Sequence, residues 1–487
     1  MHGFSERMKF SSNPAIWGFK RLILIQNMAN LIKIKRGLDI EIGGKAQETV
    51  GSAMHSATIA MIPDHYHGIT PKIMVKPGDK VKAGTPVFHD KTFEKMNFVS
   101  PVSGEIIAVN RGERRKVLSI TIAREHRIEH EKFDVKSLHS LSGEEVKALL
   151  LQAGLWAYIK QRPFDIIANP NNAPKAIFIS SFDSAPLAPN NDFAMRGQFG
   201  DFQTGIDALA KLTTGKIHLG VKAGSKSNDF RMVRGVEITE FQGAHPAGNI
   251  GVQINHIDPV NRGETVWTIG AQDVVFLGRF FNKGIVDLSR LVAFTGPETV
   301  EAQYYHTLPG ASIEPIVKGN VQTGIPLRYI SGNVLSGTQI EANGYIDPYA
   351  TQITVLDDGH QTHELVGWAM PRFNRFSTTN LYFSKLLRNP LLEVATGKIN
   401  FKWDSRVMGG RRAIIMSGEY DKVFPFDIYP EYLIKAMLAQ NIDKMENLGA
   451  YEVAPEDFAL CEFVDTSKLP LQQIVRDALD YMKKELE

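Results

Sequence analysis

The sequence predicts an α/β multidomain protein, and three stretches carry that expectation. Residues 72–122 fall into short apolar runs cut by Pro77-Gly78-Asp79, Ala83-Gly84-Thr85-Pro86 and Ser103-Gly104, turns too closely spaced for helices. Residues 175–294 alternate strand-like apolar runs with amphipathic helical patterns, as βαβ crossovers do. Residues 430–486 carry apolar stripes at helical spacing.

Composition sets the bounds. At 487 residues the chain exceeds what one hydrophobic core serves, and length suggests about three domains. Its 55 basic and 53 acidic side chains leave a charge of +2, which is no electrostatic footprint for nucleic acid. The single cysteine, Cys461, excludes an intrachain disulfide and any cluster or zinc site held by several thiolates of this chain, and a reducing compartment fits. The longest mostly apolar run, 148–159, is interrupted by Gln152 and falls short of the roughly 20 residues that span a bilayer. Membrane association would therefore come through a partner. Residues 1–27 hold a basic pair, Lys20-Arg21, before only Leu22-Ile23-Leu24-Ile25, too short for a signal peptide. They read as an upstream-start extension ahead of Met28, or as a short amphipathic arm.

Residues 28–130 are expected to form one β-sandwich. The alternating strand from Leu31 to Gly44 would pair with it. Within 72–122, Val75, Val81, Val87 and Phe88 and then Val99, Val102, Ile106, Ile107 and Val109 form two β halves that would close on each other. The run Pro77-Gly78-Asp79-x-Val81 and the later Ser100-Pro101-Val102-Ser103-Gly104 turn resemble the biotinyl/lipoyl-carrier fold, a lipoyl-like barrel-sandwich hybrid. That resemblance implies a modified lysine at a hairpin tip, but Lys91 and Lys95 flank the register it would need, near Phe93, so a structural module is expected rather than a carrier. His55, Asp64, His65 and His67 invite a metal reading, since histidines at i, i+2 share a strand face. No third ligand stands at a characteristic spacing and Gly68 and Pro71 mark a loop, so solvated histidines are expected and no metal site is assigned.

Residues 131–293 read as a Rossmann-like domain. Ser142 and Glu145 make a capping box for a helix carrying Val146, Leu149 and Leu150. Strands follow at 175–180, 216–221, 236–241 and 290–294, with helices at 204–214, stopped by Gly215, and at 271–283, ended by Gly284. They suggest an open parallel sheet. No G-x-G-x-x-G follows a strand, and Gly332 to Thr338 has the two glycines of a P-loop without its lysine.

Residues 294–345 offer a strand at 300–305, a short helix at 311–317 and a strand at 327–331, a β-grasp (SLBB-like) unit. A β-rich segment, 346–425, holds strand patterns at 349–356 and 364–368. The C-terminal helical region, 426–487, carries a helix at 430–448 closed by Gly449 and another at 471–486, both reading as core packing.

A series of short motifs then carries a family resemblance: 33–40 (KIKRGLDI), 99–105 (VSPVSGE), 110–115 (NRGERR), 212–216 (LTTGK), 245–248 (HPAG), 294–297 (FTGP), 309–312 (PGAS), 330–338 (ISGNVLSGT), 367–371 (GWAMP) and 455–464 (PEDFALCEFV). In this order they resemble the A subunit of the bacterial sodium-translocating NADH:quinone reductase (Na+-NQR) from Leu31 to the C-terminus. The architecture is similar to the C subunit of the Rnf complex and to the flavin-binding subunit of respiratory complex I. The resemblance implies a soluble peripheral subunit on the cytoplasmic face of the bacterial inner membrane, with no signal peptide. Its partners would be five other subunits, chiefly the membrane-embedded ones. The complex would couple NADH oxidation and ubiquinone reduction to Na+ export using flavins and Fe-S centres.

Two departures bear on cofactors. Where the complex I relative has a glycine-rich flavin loop, this chain has 154–164 (GLWAYIKQRPF), with bulky side chains where backbone must approach phosphate. Where an acidic segment would follow the first strand, it has 180–189 (SSFDSAPLAP), and cluster cysteines are absent. No cofactor is therefore expected in this chain, and no catalytic, cofactor-binding or metal residue is assigned. Quinone-binding residues are unknown. Tyr304, Tyr305 and His306, and separately Trp368, Arg372, Phe373 and Arg375, place donors beside aromatic rings as a quinone slot would, but read first as surface tyrosines on a strand edge and a basic loop facing a partner subunit. The alternatives are an autonomous flavin-dependent NADH dehydrogenase module and a lipoyl- or biotin-type carrier or adaptor.

Overall fold

The computed structural model describes residues 30–52, 55–225, 227, 229–360, 375–376 and 401–486. Its first strand corrects an expectation. β1 (Asn30–Lys33) does not join the sandwich; it pairs in parallel with β13 (Glu237–Gln242), Asn30 opposite Thr239. The cause is burial, because Ile34 and Ile40 pack with Phe241 and Val252 against Leu433 and Ile434 of the C-terminal helices.

The sandwich forms from the segments that predicted it. β2 (Thr58–Met61), β8 (Val117–Arg124), β7 (Gly104–Arg111) and β4 (Lys80–Val81) make one sheet, and β3 (Pro71–Ile73), β5 (Pro86–Asp90) and β6 (Asn97–Val99) the other. Val87, Phe88, Phe98, Val102, Ile106, Ile120 and Ile122 fill the space between them. Phe88 and Phe98 stack with centroids 4.6 Å apart. A side chain at Gly104 would place Cβ 2.0 Å from the Ala123 carbonyl oxygen, which explains the glycine in the Ser-Pro-Val-Ser-Gly turn.

The α/β region opens with the helix Gly143–Gln152 and its Ser142–Glu145 capping box. Its seven-stranded sheet has the order β1-β13-β12-β11-β14-β9-β10, with β9 at Lys160–Arg162, β10 at Ile166–Ile167, β11 at Ala176–Ser180, β12 at Lys216–Lys222 and β14 at Val266–Thr268. The strands from β1 to β14 run parallel, while β9 joins β14 and β10 joins β9 antiparallel, so the sheet is mixed at one edge. From β11 the chain proceeds to β12 and β13 on one side and returns to β14 on the other. The strand order therefore reverses between β11 and β14, the position at which open α/β sheets form a crevice.

The helix expected at 204–214 runs Phe199–Leu209, because Phe199 and Phe202 pack edge-on against Phe230 and extend its apolar face backwards. Gly215 is not its stop; a Cβ there would lie 1.8 Å from the Lys175 carbonyl oxygen, so close backbone approach selects the glycine. The helix Ala271–Lys283 ends at left-handed Gly284 as expected.

A second sheet has the order β16-β15-β19-β17-β18, with β15 at Arg290–Thr295, β16 at Tyr304–Thr307, β17 at Leu327–Ser331, β18 at Thr338–Ile340 and β19 at Gln352–Asp357. Arg290–Thr295, read as the last α/β strand, thus belongs here. The expected helix 311–317 shortens to Glu314–Val317, since Ala311 bridges Ile59 and Ser312 bridges Tyr345. The strand pattern at 364–368 lies outside the described residues.

The helix expected at 430–448 is two, Pro430–Leu438 and Ile442–Asn447, parted where Gln440 takes φ +51° and the Asn441 side chain accepts from Lys444 N. Leu471–Leu486 is helical throughout. Among the described residues no helix is long and apolar enough to cross a membrane.

Candidate functional site

Where the strand order reverses, a cleft of about 510 Å³ opens between the α/β sheet, the second sheet and the C-terminal helices. Three of the motif segments meet in it: Gly248, the stretch from Ser331 to Thr338, and Pro455-Glu456. Tyr158, Lys160 and Arg162, from the segment too bulky for a phosphate loop, line it as well, together with Ser180 and Asp183 from β11 and the turn after it. A smaller cavity of about 20 Å³ lies beside it, where Tyr66, Phe98 and Gly154 meet Pro309 and Gly310.

Two buried ion pairs hold the cleft walls. Arg162 Nη1 lies 2.6 Å from Asp457 Oδ2 and 2.8 Å from the Glu452 carbonyl oxygen, with both charged side chains almost wholly enclosed. Burial works against charge on Arg162, but Asp457 and Asp165 outweigh it and hold the guanidinium above its ordinary pKa. On the other wall Arg290 Nη2 donates to Asp273 Oδ1 at 2.7 Å, with its guanidinium 4.6 Å from the Phe276 ring centroid. Lys160 Nζ sits 4.2 Å over the Tyr349 ring, whose hydroxyl donates to the Ala157 carbonyl.

Acids dominate the rest of the lining. Asp165, Asp183, Asp273, Asp347 and Glu456 face the cleft against Lys160 and Arg162. Burial among these neighbours, then the Asp457, Asp183 and Asp165 charges, push Glu456 up to about 7. Its side chain still meets solvent in the open cleft, which softens the effect. Burial also raises Asp183, whereas at Asp165 the cations Lys160, Arg162 and Arg476 overcome burial and lower it.

At a reversal point a dinucleotide would place its diphosphate on a helix N-terminus. Here a carboxylate lies close to each of two helix N-termini. Asp457 lies against the first turn of the helix Ile250–Ile257, where a Cβ on Gly251 would come within 2.2 Å of Oδ1. Asp273 folds back toward the N-cap of its own helix, where a Cβ on Gly270 would come within 2.6 Å of its Oδ2. The acidic lining suits a neutral or cationic polar ligand, or the contact of a protein segment, better than an anion.

The sequence candidates are dispersed. Tyr304 and Tyr305 are buried, not surface tyrosines, because residues 47–51 cover the β16 edge: Tyr304 N donates to Thr49 O, and Gly51 N to Tyr304 O. Tyr304 Oη accepts from Asn190 N at 2.7 Å, and Tyr305 Oη from Asn320 Nδ2 at 2.9 Å, while His306 is exposed. Trp368, Arg372 and Phe373 lie outside the described residues, and Arg375 is buried in an ion pair with Asp404. His65 faces Asp347 at 3.5 Å, His67 faces Asp480 at 2.8 Å and Asp64 pairs with Lys116 at 2.6 Å, so the would-be ligands point to different partners. Among the described residues no group of three or more potential ligands converges. Lys91 and Lys95 are exposed on the β5–β6 connection. The sequence reading missed Lys160, Arg162, Asp165, Asp273 and Glu456; the signal was the recurrence of glycine- and serine-rich motifs in distant segments, which the fold gathers.

Comparison with known proteins agrees with this architecture. Residues 32–125 match the NqrA N-terminal barrel-sandwich hybrid domain, 141–286 the NqrA second alpha/beta domain and 291–342 the NQRA C-terminal domain. The chain is 35% identical over 463 residues to the A subunit of the Na(+)-translocating NADH-quinone reductase of Serratia proteamaculans, covering 93% of this chain and 100% of that one. It is 36% identical over 458 residues to the corresponding protein of Neisseria meningitidis serogroup B, with the same coverage. Among solved structures, an NAD+-reducing [NiFe]-hydrogenase in the air-oxidized state aligns at TM-score 0.33 and 15% identity over 46% of this chain and 48% of that one, a likeness too low to carry a conclusion. With full-length relatives above 30% identity and three successive domains matched, the chain belongs to the NqrA family, the A subunits of Na(+)-translocating NADH-quinone reductases.

Proposed function

We propose that this chain works as a peripheral, non-redox-centre subunit of a Na+-translocating NADH:ubiquinone reductase, docked from the cytoplasmic face on the membrane subunits among its five partners. The observation that carries the reading is end-to-end similarity to subunits of that name. In this reading hydride and electron steps belong to flavins and Fe-S centres held by the partners, since side chains do not supply such chemistry. Asp457 and Asp273, close to two helix N-termini beside the cleft, support that division, because negative charge there disfavours a cofactor phosphate. The chain's own part is to dock on the membrane subunits and to assist in forming the ubiquinone site in the assembled complex.

The test is deletion and return of this subunit in membranes of its own host. Loss of Na+-dependent NADH:quinone reduction, restored by the tagged chain, with the tag drawing the partner subunits from detergent extracts, is the expected result. A tagged chain that purifies alone with bound flavin and oxidises NADH would replace this reading with the autonomous dehydrogenase.

A further inference from the structure

The hairpin joining β7 and β8 breaks a local rule. Its tip, Arg111-Gly112-Glu113-Arg114-Arg115-Lys116, closes through Gly112 N to Lys116 O at 2.8 Å and Lys116 N to Glu113 O at 3.0 Å. The two central residues, Arg114 and Arg115, take φ +52° and +61°. Positive φ at both positions is the requirement of a type I′ turn, which suits the twist of a hairpin and is met at little cost by Asn-Gly. Arginine has no such licence, because its Cβ crowds the backbone in the left-handed region. Nothing in the fold rewards the choice: Arg114 and Arg115 are exposed, and among the described residues neither guanidinium has a hydrogen-bond or ion-pair partner. Strain held at an exposed tip without a structural return marks a contact made outside the chain.

The surroundings say what kind of contact. The tip carries four cations against one carboxylate; Lys116 pairs with Asp64 at 2.6 Å, and Arg111 Nη1 donates to the Arg115 carbonyl at 3.1 Å. Leu118 is 46% exposed beside Gly112, and Ile107, at a bulge of the same hairpin, is 50% exposed. Unpaired arginines with the exposed Leu118 side chain beside their turn match an anionic lipid surface, where the charges meet headgroups and the aliphatic side chain reaches the interface. We propose that the β7–β8 hairpin rests on the anionic phospholipid headgroups of the membrane in which the partner subunits sit. This rests on the reading of the chain as part of a Na+-translocating complex, but vesicle binding by the purified chain needs no partner, so either can fail without the other.

The purified full chain is titrated with vesicles of about three parts phosphatidylcholine to one part phosphatidylglycerol, and with pure phosphatidylcholine vesicles. Binding to the anionic vesicles alone, lost at high salt, is expected. Arg114→Asn with Arg115→Gly should raise the melting temperature, by relieving the turn, while weakening vesicle binding about 30-fold at low salt. Arg114→Lys with Arg115→Lys should retain binding, which separates charge from fold. Binding within twofold of the native chain in the Asn-Gly variant overturns the proposal, as does equal binding to both vesicle types. So does an Asn-Gly variant that keeps vesicle binding but no longer joins the detergent-solubilised complex, which would assign the hairpin to an acidic protein surface instead.

Discussion

The sandwich and the cleft are held together by different means. The sandwich closes on Phe88, Phe98, Ile106 and Ile122, all drawn from one continuous stretch, and its β5–β6 and β7–β8 pairings join near neighbours in sequence. The cleft is fastened by charges, and its Arg162–Asp457 pair joins residues hundreds of positions apart inside the protein. Apolar contact degrades gradually when trimmed, whereas a buried ion pair fails as a unit, because losing one partner strands the other's charge. The first region is therefore tolerant and the second brittle.

The largest expected effect tests that brittleness. Asp457→Ala should cost about 3–5 kcal/mol in denaturant unfolding by leaving Arg162 buried and unpaired, while Arg162→Met combined with Asp457→Leu should recover most of it. A double variant no better than Asp457→Ala would show that the hydrogen bonds to Glu452 and Ala454, not the charge pair, fasten the cleft.

In the sandwich the corresponding weak point is shape. Gly104→Ala should cost about 1–3 kcal/mol, because the new Cβ drives into the Ala123 carbonyl and the β7–β8 ladder has to shift. An unchanged unfolding midpoint would mean that the turn yields more freely than its packing suggests.

The smallest effect is the pH dependence at the cleft. Glu456 rises from 4.5 to about 7 in the folded chain, so between those values the folded state holds a proton that the unfolded state releases. Its contribution is full below about pH 4.5 and is lost as pH rises through about 7. Glu456→Gln should accordingly stabilise the protein near pH 8 and gain nothing near pH 4, and the gain stays below about 1 kcal/mol because water reaches the side chain. A gain equal at both pH values would remove the carboxylate cluster as its cause.

What the sequence disclosed follows the same division. The sandwich, the capping box at Ser142 and the helices Ala271–Lys283 and Leu471–Leu486 were legible because their signals are local: turn residues, caps and periodicity. The motif series disclosed the family. The pairing of β1 was not legible, since an alternating strand states that one face is buried but not against what. Tyr304 and Tyr305 misled for the same reason, their strand edge being covered by the distant residues 47–51. The cleft escaped because no segment of it looks like a site alone; Gly332 to Thr338 resembles a failed P-loop until Arg162, Asp273 and Glu456 stand around it.

The pairing of β1 with β13 also sets a timetable. Asn30 meets Thr239, so during synthesis the first strand waits for roughly 200 further residues, on the order of 10–40 s at common elongation rates. The whole sandwich is made and can close in that interval, leaving β1 as an untied end beside a finished module. A fragment cut to the α/β segment alone would lack this strand and bare the β13 edge as a template for other chains. Expression of the isolated middle domain should therefore begin at residue 30 with the sandwich retained, or carry β1 grafted by a linker.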